Sequence, residues 1–145
     1  MLRGLIVTHG DLGRALKQTA ETITGPVPEL EVISNLELSR DLLCERIEVS
    51  LSSWDKAEGI VLTDIPGGSC TQATLLRAAA RPEIGVVTGV NLSMLVDFLV
   101  NRGKFNAREM AERLESKGRT SIRNMERETR GSPSSRSQGK GLHTA

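Results

Sequence analysis

Two side chains with complementary chemistry each follow an apolar run of the chain. His9 comes after the run that opens the sequence, and Asp64 comes after the run 59–63. A carboxylate that accepts a hydrogen bond from imidazole Nδ1–H fixes the tautomer and leaves Nε2 as the nucleophile. If the two runs form neighbouring strands, Asp64 can orient His9 in this way. Two other readings stay open: a structural role for a lone histidine, and an N-cap or turn role for Asp64.

A glycine-rich segment follows Asp64 and precedes a stretch with high helix propensity. Gly67 and Gly68 let the backbone approach a ligand closely, and Ser69 adds a hydroxyl donor. Backbone N–H groups at a helix N-terminus attract phosphate through unpaired donors and the helix dipole. The segment is neither a Walker A loop nor a dinucleotide fingerprint, because it lacks the lysine of the first and the third glycine of the second. It predicts a phosphate-binding loop beside His9.

These parts together describe a histidine that can carry a phosphoryl group. Such a carrier requires no nucleotide, metal or other cofactor, and we predict none. The only other histidine is His143. Cys44 and Cys70 have neither CxxC spacing nor a histidine cluster close in sequence, so no disulfide framework or zinc site is expected. Cys70 stands at a helix start, where it is either a reactive thiol with a lowered pKa or a small packing residue.

Short apolar runs rich in β-branched residues alternate with helical patterns. The predicted strands are Leu2–Thr8, Glu31–Leu36, Gly59–Thr63 and Ile84–Thr88. The last two runs are continuously apolar, which is typical of strands covered on both faces. This alternation predicts an α/β fold, a parallel sheet with right-handed crossovers and helices on both sides. Reactive groups gather at the carboxyl ends of such strands, where Thr8, Gly89 and Asn91 are also placed.

Five helices are predicted between and after these strands. The first buries one face and ends at Gly25-Pro26. The face consists of Leu12, Ala15, Leu16, Ala20 and Ile23. The second is capped by Ser39 and buries Leu43, Ile47, Leu51 and Trp54. The third covers residues 70–80, the fourth runs from an Asn91 cap through Arg102, and the fifth opens on Asn106 with Glu109 and stops at Gly118.

Composition bounds the domain organisation and the location. We expect one domain over residues 1–125, followed by a polar tail, 126–145, that is too poor in apolar residues to be ordered. No apolar run reaches the roughly 20 residues of a membrane span, and the N-terminus predicts a strand, not a signal peptide. We therefore expect a cytoplasmic protein.

The net charge of +1 gives no indication of a nucleic-acid partner, although residues 102–145 hold 11 basic and 5 acidic side chains. That basic end is either a partner-steering surface or a solvated helix face and tail.

Three segments carry a family resemblance. VTHGDLGRALKQTAETITG (7–25), GIVLTDIPGGSCTQAT (59–74) and VVTGVNLSMLVDFLV (86–100) resemble the mannose-family IIA domain of the bacterial sugar phosphotransferase system. The order and spacing of the blocks also match, and the likeness covers about residues 1–125. The resemblance implies a four-stranded parallel core within three α/β/α layers. It also implies a homodimer that exchanges a fifth, antiparallel strand, which corresponds to Arg119–Met125.

The resemblance also assigns roles to residues. The phosphorylated histidine of the family falls on His9 and its orienting aspartate on Asp64. The phosphate-contacting loop falls on Gly67, Gly68 and Ser69, and the GVN turn on residues 89–91. The implied donor is the phosphocarrier protein HPr. The implied acceptor is a IIB component, which phosphorylates sugar during uptake by a membrane IIC/IID complex.

Departures from the family pattern lie at the edge of this predicted site. Cys70, Thr71 and Gln72 stand where the family has Pro-Phe-Asn, and Ser93 replaces a proline in the fourth loop. They leave His9 and Asp64 untouched, but they change the rim where a partner would dock. A regulatory protein whose His9 phosphorylation reports to a partner uses the same histidine chemistry as a transport component, so both functions stay open. A flavodoxin-like mononucleotide binder is disfavoured by an aromatic content of 2%. No membrane insertion of the chain itself is expected.

Overall fold

The computed structural model describes residues 1–126, and the predicted tail lies outside this range except for Glu126. Four strands alternate with helices in the described residues, and two helices end them. The strands are β1 (Arg3–Thr8), β2 (Glu31–Ser34), β3 (Gly59–Thr63) and β4 (Ile84–Val87). The helices are α1 (Leu12–Thr24), α2 (Arg40–Ser53), α3 (Ser69–Ala78), α4 (Leu92–Asn101) and α5 (Ala107–Thr120). All four predicted strands are confirmed, although β2 and β4 end before Leu36 and Thr88.

The strands form one parallel sheet in the order β2-β1-β3-β4. β1 and β3 are therefore neighbours, and Val7 is in register with Thr63. Every residue of β3 is buried, as expected for a continuously apolar strand with helices on both faces. This pairing brings the chain segments that follow Val7 and Thr63 to the same edge of the sheet.

Helices cover both faces of the sheet, so the predicted three α/β/α layers are confirmed. Alternate residues of β1 point to opposite faces. Ile6 packs with α1, α4 and α5 around Phe98, whereas Leu5 and Val7 pack with α2 and α3 around Trp54. No helix in residues 1–126 is both long and apolar enough to cross a membrane.

Four of the five helices begin or end as the sequence predicted. Ser39 accepts a hydrogen bond from the Leu42 amide, and Gly25 follows the last residue of α1. Asn91 caps α4 through the Met94 amide. Asn106 and Glu109 form a complete capping box at the start of α5. Local signals that use a residue's own backbone neighbours were therefore sufficient for these boundaries.

The predicted buried face of α1 is wrong at both ends. Leu12, Ala15 and Ile23 are exposed, and Gly13 and Ala20 are the fully buried positions. A Cβ at Gly13 would lie 2.7 Å from Thr8 Oγ1, so the helix lies directly against the end of β1 at this position. This close approach rotates the helix away from the face that the apolar residues alone suggested.

The predicted strand Arg119–Met125 is not formed in the described chain. α5 continues through Gly118 to Thr120, and residues 122–124 have no regular structure. Gly118 does not end the helix. It allows close packing of α5 against α4, because a Cβ at this position would lie 2.7 Å from Met94 Sδ. Lys117 and Arg119 also stabilise the last turn through the helix dipole.

Candidate functional site

His9 occupies a sharp turn between β1 and α1. Gly10 has a positive φ of 57°, which lets the chain reverse direction directly after His9. The neighbouring strand end holds this turn in place. The Gly10 amide donates to Asn35 Oδ1 (3.1 Å), and Ser34 Oγ donates to the Gly10 carbonyl (2.7 Å). The backbone that carries the imidazole is therefore fixed from the β2 side.

Asp64 fixes His9 from the β3 side. Its Oδ2 lies 2.8 Å from the His9 amide nitrogen and 2.8 Å from His9 Nδ1. Its Oδ1 accepts from the Ile65 amide (2.9 Å). One carboxylate thus binds both the backbone and the ring of His9, and the expected proximity of the two residues is present.

The ionisation of Asp64 determines the tautomer of His9. Burial by itself raises the pKa of Asp64, but the hydrogen bonds from the amide and ring of His9 and from the Ile65 amide outweigh it, so the pKa is lowered. At neutral pH the carboxylate can only accept hydrogen bonds. The proton between the two side chains therefore belongs to Nδ1 of His9, and Nε2 of the neutral ring carries the lone pair.

The imidazole remains reachable from solvent. Its side chain is 41% exposed, whereas that of Asp64 is 9% exposed. Within residues 1–126, Nε2 has no hydrogen-bond partner. The arrangement thus presents the nucleophilic nitrogen outward and keeps the orienting carboxylate inside.

The glycine-rich loop lies against the edge of this ring. A Cβ on Gly68 would lie 3.0 Å from His9 Cε1, which is the ring carbon bonded to both nitrogens. It would also lie 2.9 Å from Ile65 Cγ1. Gly68 is also the N-cap of α3, and no side chain caps this helix. Gly67 and Ser69 are exposed beside it. The first-turn amides of α3 are therefore close to His9 and free to bind an anion.

Thr71 connects this loop to two strands. Its Oγ1 lies 2.7 Å from Thr63 Oγ1, 2.5 Å from the Ile65 carbonyl oxygen and 3.5 Å from Thr88 Oγ1. The residue is buried. A departure from the family pattern is thus a structural tie between the loop and the ends of β3 and β4.

The remaining predicted residues support the site from behind. Thr8 is buried, and its Oγ1 accepts from the Gly13 amide (2.7 Å). Gly89 has a positive φ of 79°, and its amide donates to the Asp64 carbonyl (3.0 Å). Asn91 uses its side chain to cap α4. All three lie at the same sheet edge, but the hydroxyl of Thr8 binds the Gly13 amide, and the side chain of Asn91 binds the Met94 amide and Ser121 Oγ.

The reactive-thiol reading of Cys70 is wrong. The side chain is fully buried, and burial together with the charge of Asp64 raises the pKa of the thiol to about 11. Both effects outweigh the hydrogen bond with Ser69, which by itself lowers the pKa of the thiol. A helix start does not activate a thiol that is removed from solvent and placed beside a carboxylate.

Sequence reasoning missed three residues that hold the site together. Ser34 and Asn35 belong to β2 and its end, and they fix the His9 turn across the sheet edge. Thr71 fixes the glycine-rich loop. The only sequence signal for Ser34 and Asn35 was their position after a predicted strand, because their bonding partners are 24 and 25 residues away.

The fold and site define an α/β protein with a carboxylate-oriented histidine at the carboxyl edge of a parallel sheet. A family model described as PTS system fructose IIA component matches residues 4–115. The chain therefore belongs to the EIIA-man family, whose members are phosphotransfer components of the sugar phosphotransferase system. The resemblance identified from the sequence is confirmed.

Solved structures of related proteins have the same fold. EIIA from Streptococcus agalactiae has a TM-score of 0.80 at 22% identity, over 87% of this chain and 98% of that chain. The mannose/sorbose-specific IIA subunit from Enterococcus faecalis has a TM-score of 0.78 at 19% identity, over 85% and 93%. The IIA protein associated with the fucose utilization operon of Streptococcus pneumoniae has a TM-score of 0.69 at 24% identity, over 87% and 94%. No protein with a curated function matches the chain.

The role of Thr71 predicts a local change in backbone stability. In Thr71→Val the Ile65 carbonyl and the Thr63 hydroxyl lose a partner, and we expect about tenfold faster hydrogen exchange at the amides of residues 67–69. Thr71→Ser keeps the hydroxyl and should exchange at close to the wild-type rate, with β3 amides unchanged in both variants. Equally fast exchange in Thr71→Ser would assign the effect to the lost methyl group.

The lowered pKa of Asp64 predicts a pH-dependent contribution to stability. The ionised carboxylate stabilises the folded state at pH values above the usual 3.8, and this contribution is lost as the pH falls through the lower folded-state pKa. The free energy of unfolding of Asp64→Asn should therefore fall less steeply than that of wild type between about pH 5 and pH 2. Asp11→Asn, which removes an exposed carboxylate, should keep the wild-type slope. Equal slopes for wild type and Asp64→Asn would contradict the assigned hydrogen bonds.

Proposed function

We propose that His9 accepts a phosphoryl group on Nε2 and transfers it to a second protein. The observation that carries this proposal is the single carboxylate of Asp64 bound to both the amide and Nδ1 of His9. This contact holds the ring, selects its tautomer and leaves Nε2 toward solvent. Membership of the EIIA-man family supplies the reaction class.

The step forms one N–P bond and breaks another. The Nε2 lone pair of His9 attacks phosphorus, and the phosphohistidine of the donor is released as a neutral imidazole. Because the attacking ring keeps its proton on Nδ1, positive charge develops on His9 as the bond forms. The Asp64 carboxylate, 2.8 Å away, stabilises that charge. The same contact therefore lowers the barrier for acceptance.

The α3 N-terminus provides donors for the phosphoryl oxygens. A Cβ on Gly68 would lie 3.0 Å from His9 Cε1, so the helix start lies against the ring that would carry the phosphoryl group. We infer that the amides of the first turn and the Ser69 hydroxyl donate to the phosphoryl oxygens, whose negative charge the helix dipole favours. The site residues of the proposal are thus His9, Asp64 and the segment 67–69.

The proposed donor is HPr and the proposed acceptor is a IIB component of a membrane sugar transporter. Both would meet the exposed edge of His9 from the cytoplasm.

We further propose a homodimer. β4 is an edge strand, and a groove of about 470 Å³ lies beside it, lined in part by Thr88, Glu115, Arg119 and Ile122. A second copy can dock against this edge and groove.

Phosphorylation by phosphoenolpyruvate, Enzyme I and HPr tests the proposed acceptor residue. Intact-mass measurement should show one added phosphoryl group on wild type and on His143→Ala, and none on His9→Ala. The group should be acid-labile, as a phosphorus–nitrogen bond is. Acid-stable labelling, or labelling that persists in His9→Ala, would show that another residue reacts.

Removal of the orienting carboxylate should slow the reaction without unfolding the protein. In Asp64→Ala the ring loses its fixed tautomer and the stabilisation of its developing charge, and we expect phosphorylation about 10²–10⁴-fold slower. Rapid-quench kinetics with phospho-HPr measure this rate, and circular dichroism checks the fold. An unchanged rate would remove Asp64 from the mechanism.

The same chemistry serves a regulatory protein whose phosphorylation state is read by a partner. The observation that keeps this second role open is the altered sequence of residues 70–72 at the start of α3, next to His9. Incubation of the phosphorylated protein with purified IIB components separates the two. Rapid loss of the phosphoryl group to IIB supports transport, whereas retention supports signalling.

A further inference from the structure

We propose that His9, Asp64 and Cys70 bind one Zn²⁺ ion and that this ion and the phosphoryl group exclude each other. The fold brings together three side chains that are distant in sequence. One ligand atom of each residue lies within 4.8 Å of those of the other two. Ion binding by these three residues is independent of the proposed function. The mutual exclusion of zinc and phosphoryl group rests on the proposed function.

The donor set has the chemistry of a zinc site. It combines an imidazole nitrogen, a carboxylate oxygen and a sulfur, all of which Zn²⁺ binds in proteins. Hard cations such as Mg²⁺ and Ca²⁺ prefer oxygen ligands, so the sulfur favours Zn²⁺ over them. Three protein ligands leave the fourth position of a tetrahedral Zn²⁺ ion for a water molecule.

The distances fit a tetrahedral ion after small movements. Zn–N, Zn–O and Zn–S bonds of usual length place the ligand atoms of a tetrahedral site about 3.4–3.6 Å apart. His9 Nδ1 and Asp64 Oδ2, now 2.8 Å apart, would separate slightly, and the sulfur within 4.8 Å would approach. The backbone need not move, because χ rotations of His9 and Asp64 suffice for changes of this size.

The backbone around the three ligands is held independently of the ion. The His9 turn is fixed by Ser34 and Asn35, and the start of α3 is fixed by Thr71. These contacts do not involve the ligand atoms of His9, Asp64 or Cys70. The three side chains are thus presented on a frame that survives the exchange of a proton for a metal.

Ion binding changes the state of the imidazole that reacts. A Zn²⁺ ion on Nδ1 displaces the proton of that nitrogen, so a neutral ring carries its one proton on Nε2. Nε2 then has no lone pair for attack on phosphorus. The Cys70 thiol loses its proton to water when the sulfur–zinc bond forms. Zinc thereby converts the phosphoryl-accepting form of the site into a form that cannot accept.

Cobalt substitution of the reduced, full-length protein tests the site directly. Co²⁺ bound to a thiolate absorbs in the near ultraviolet through charge transfer, and we expect one equivalent to produce this band and Zn²⁺ to abolish it. Cys70→Ser and His9→Ala should lose the band. Cys44→Ser and His143→Ala are matched controls, since each removes the other residue of its type, and both should keep it.

Two results would overturn the proposed site. They are the absence of a band in wild type and its persistence in Cys70→Ser. Cys70→Ala provides a second variant without a hydroxyl ligand, and thermal unfolding of the metal-free proteins shows whether a lost band reflects a lost fold. If Cys70→Ser and Cys70→Ala both remain folded and bandless while Cys44→Ser binds, the sulfur ligand is Cys70.

The mutual exclusion has a separate readout. Protein loaded with Zn²⁺ and freed of unbound metal is mixed with phospho-HPr, and the ratio of rates with and without zinc is measured for each variant. We expect strong slowing for wild type and Cys44→Ser and a ratio near one for Cys70→Ser. Zinc binding without slowing would overturn the exclusion. Failure of metal-free wild type to be labelled would refute the proposed function and leave the metal site intact.

Discussion

The contact between Asp64 and His9 is the interaction on which the site depends. One carboxylate oxygen binds the His9 amide and ring nitrogen, both at 2.8 Å. The first bond fixes where the residue is, and the second fixes how the imidazole is turned and protonated. Because its three hydrogen-bond donors outweigh the effect of burial, the carboxylate stays ionised and cannot exchange its role with the ring.

The parallel sheet makes this contact possible. β1 and β3 are central neighbours in the order β2-β1-β3-β4, so the residues that follow them emerge side by side. β2 adds Ser34 and Asn35 to one side of the His9 turn, and the start of α3 covers the other. Three segments that are remote from one another in sequence, residues 8–10, 34–35 and 64–69, thus converge on one imidazole. The arrangement is the usual one for open α/β sheets, where reactive groups collect at the carboxyl edge.

Two residues that depart from the family pattern contribute to the glycine-rich loop. Thr71 stands where the family pattern has an aromatic residue, and its hydroxyl ties the Ile65 carbonyl to the ends of β3 and β4. Cys70, its neighbour, brings a sulfur atom next to His9 and Asp64. Of these two residues, one helps to fix the loop and the other changes the chemistry available beside the histidine.

The sequence by itself determined the strands, most helix ends, the layer arrangement and the chemical types at the site. These follow from apolar periodicity and from caps such as Ser39 and Asn106, which act within a few residues of the chain. The resemblance of its three segments to the family was also evident from the sequence. Each of these signals lies within a short stretch of the chain. The family resemblance adds only the order and spacing of such stretches.

Only the tertiary structure decided which residues touch. The sequence predicted that α5 ends at Gly118. In the structure Gly118 lies within α5 and packs against Met94 of α4, and the expected strand at Arg119–Met125 is absent from the described chain. Gly13 rotates α1 away from its apolar face for the same reason, a close approach to another element. Cys70 was set aside for lack of histidines near it in sequence, yet the fold places His9 beside it. Contacts between residues tens of positions apart leave no local trace, because they depend on packing and not on chain neighbours.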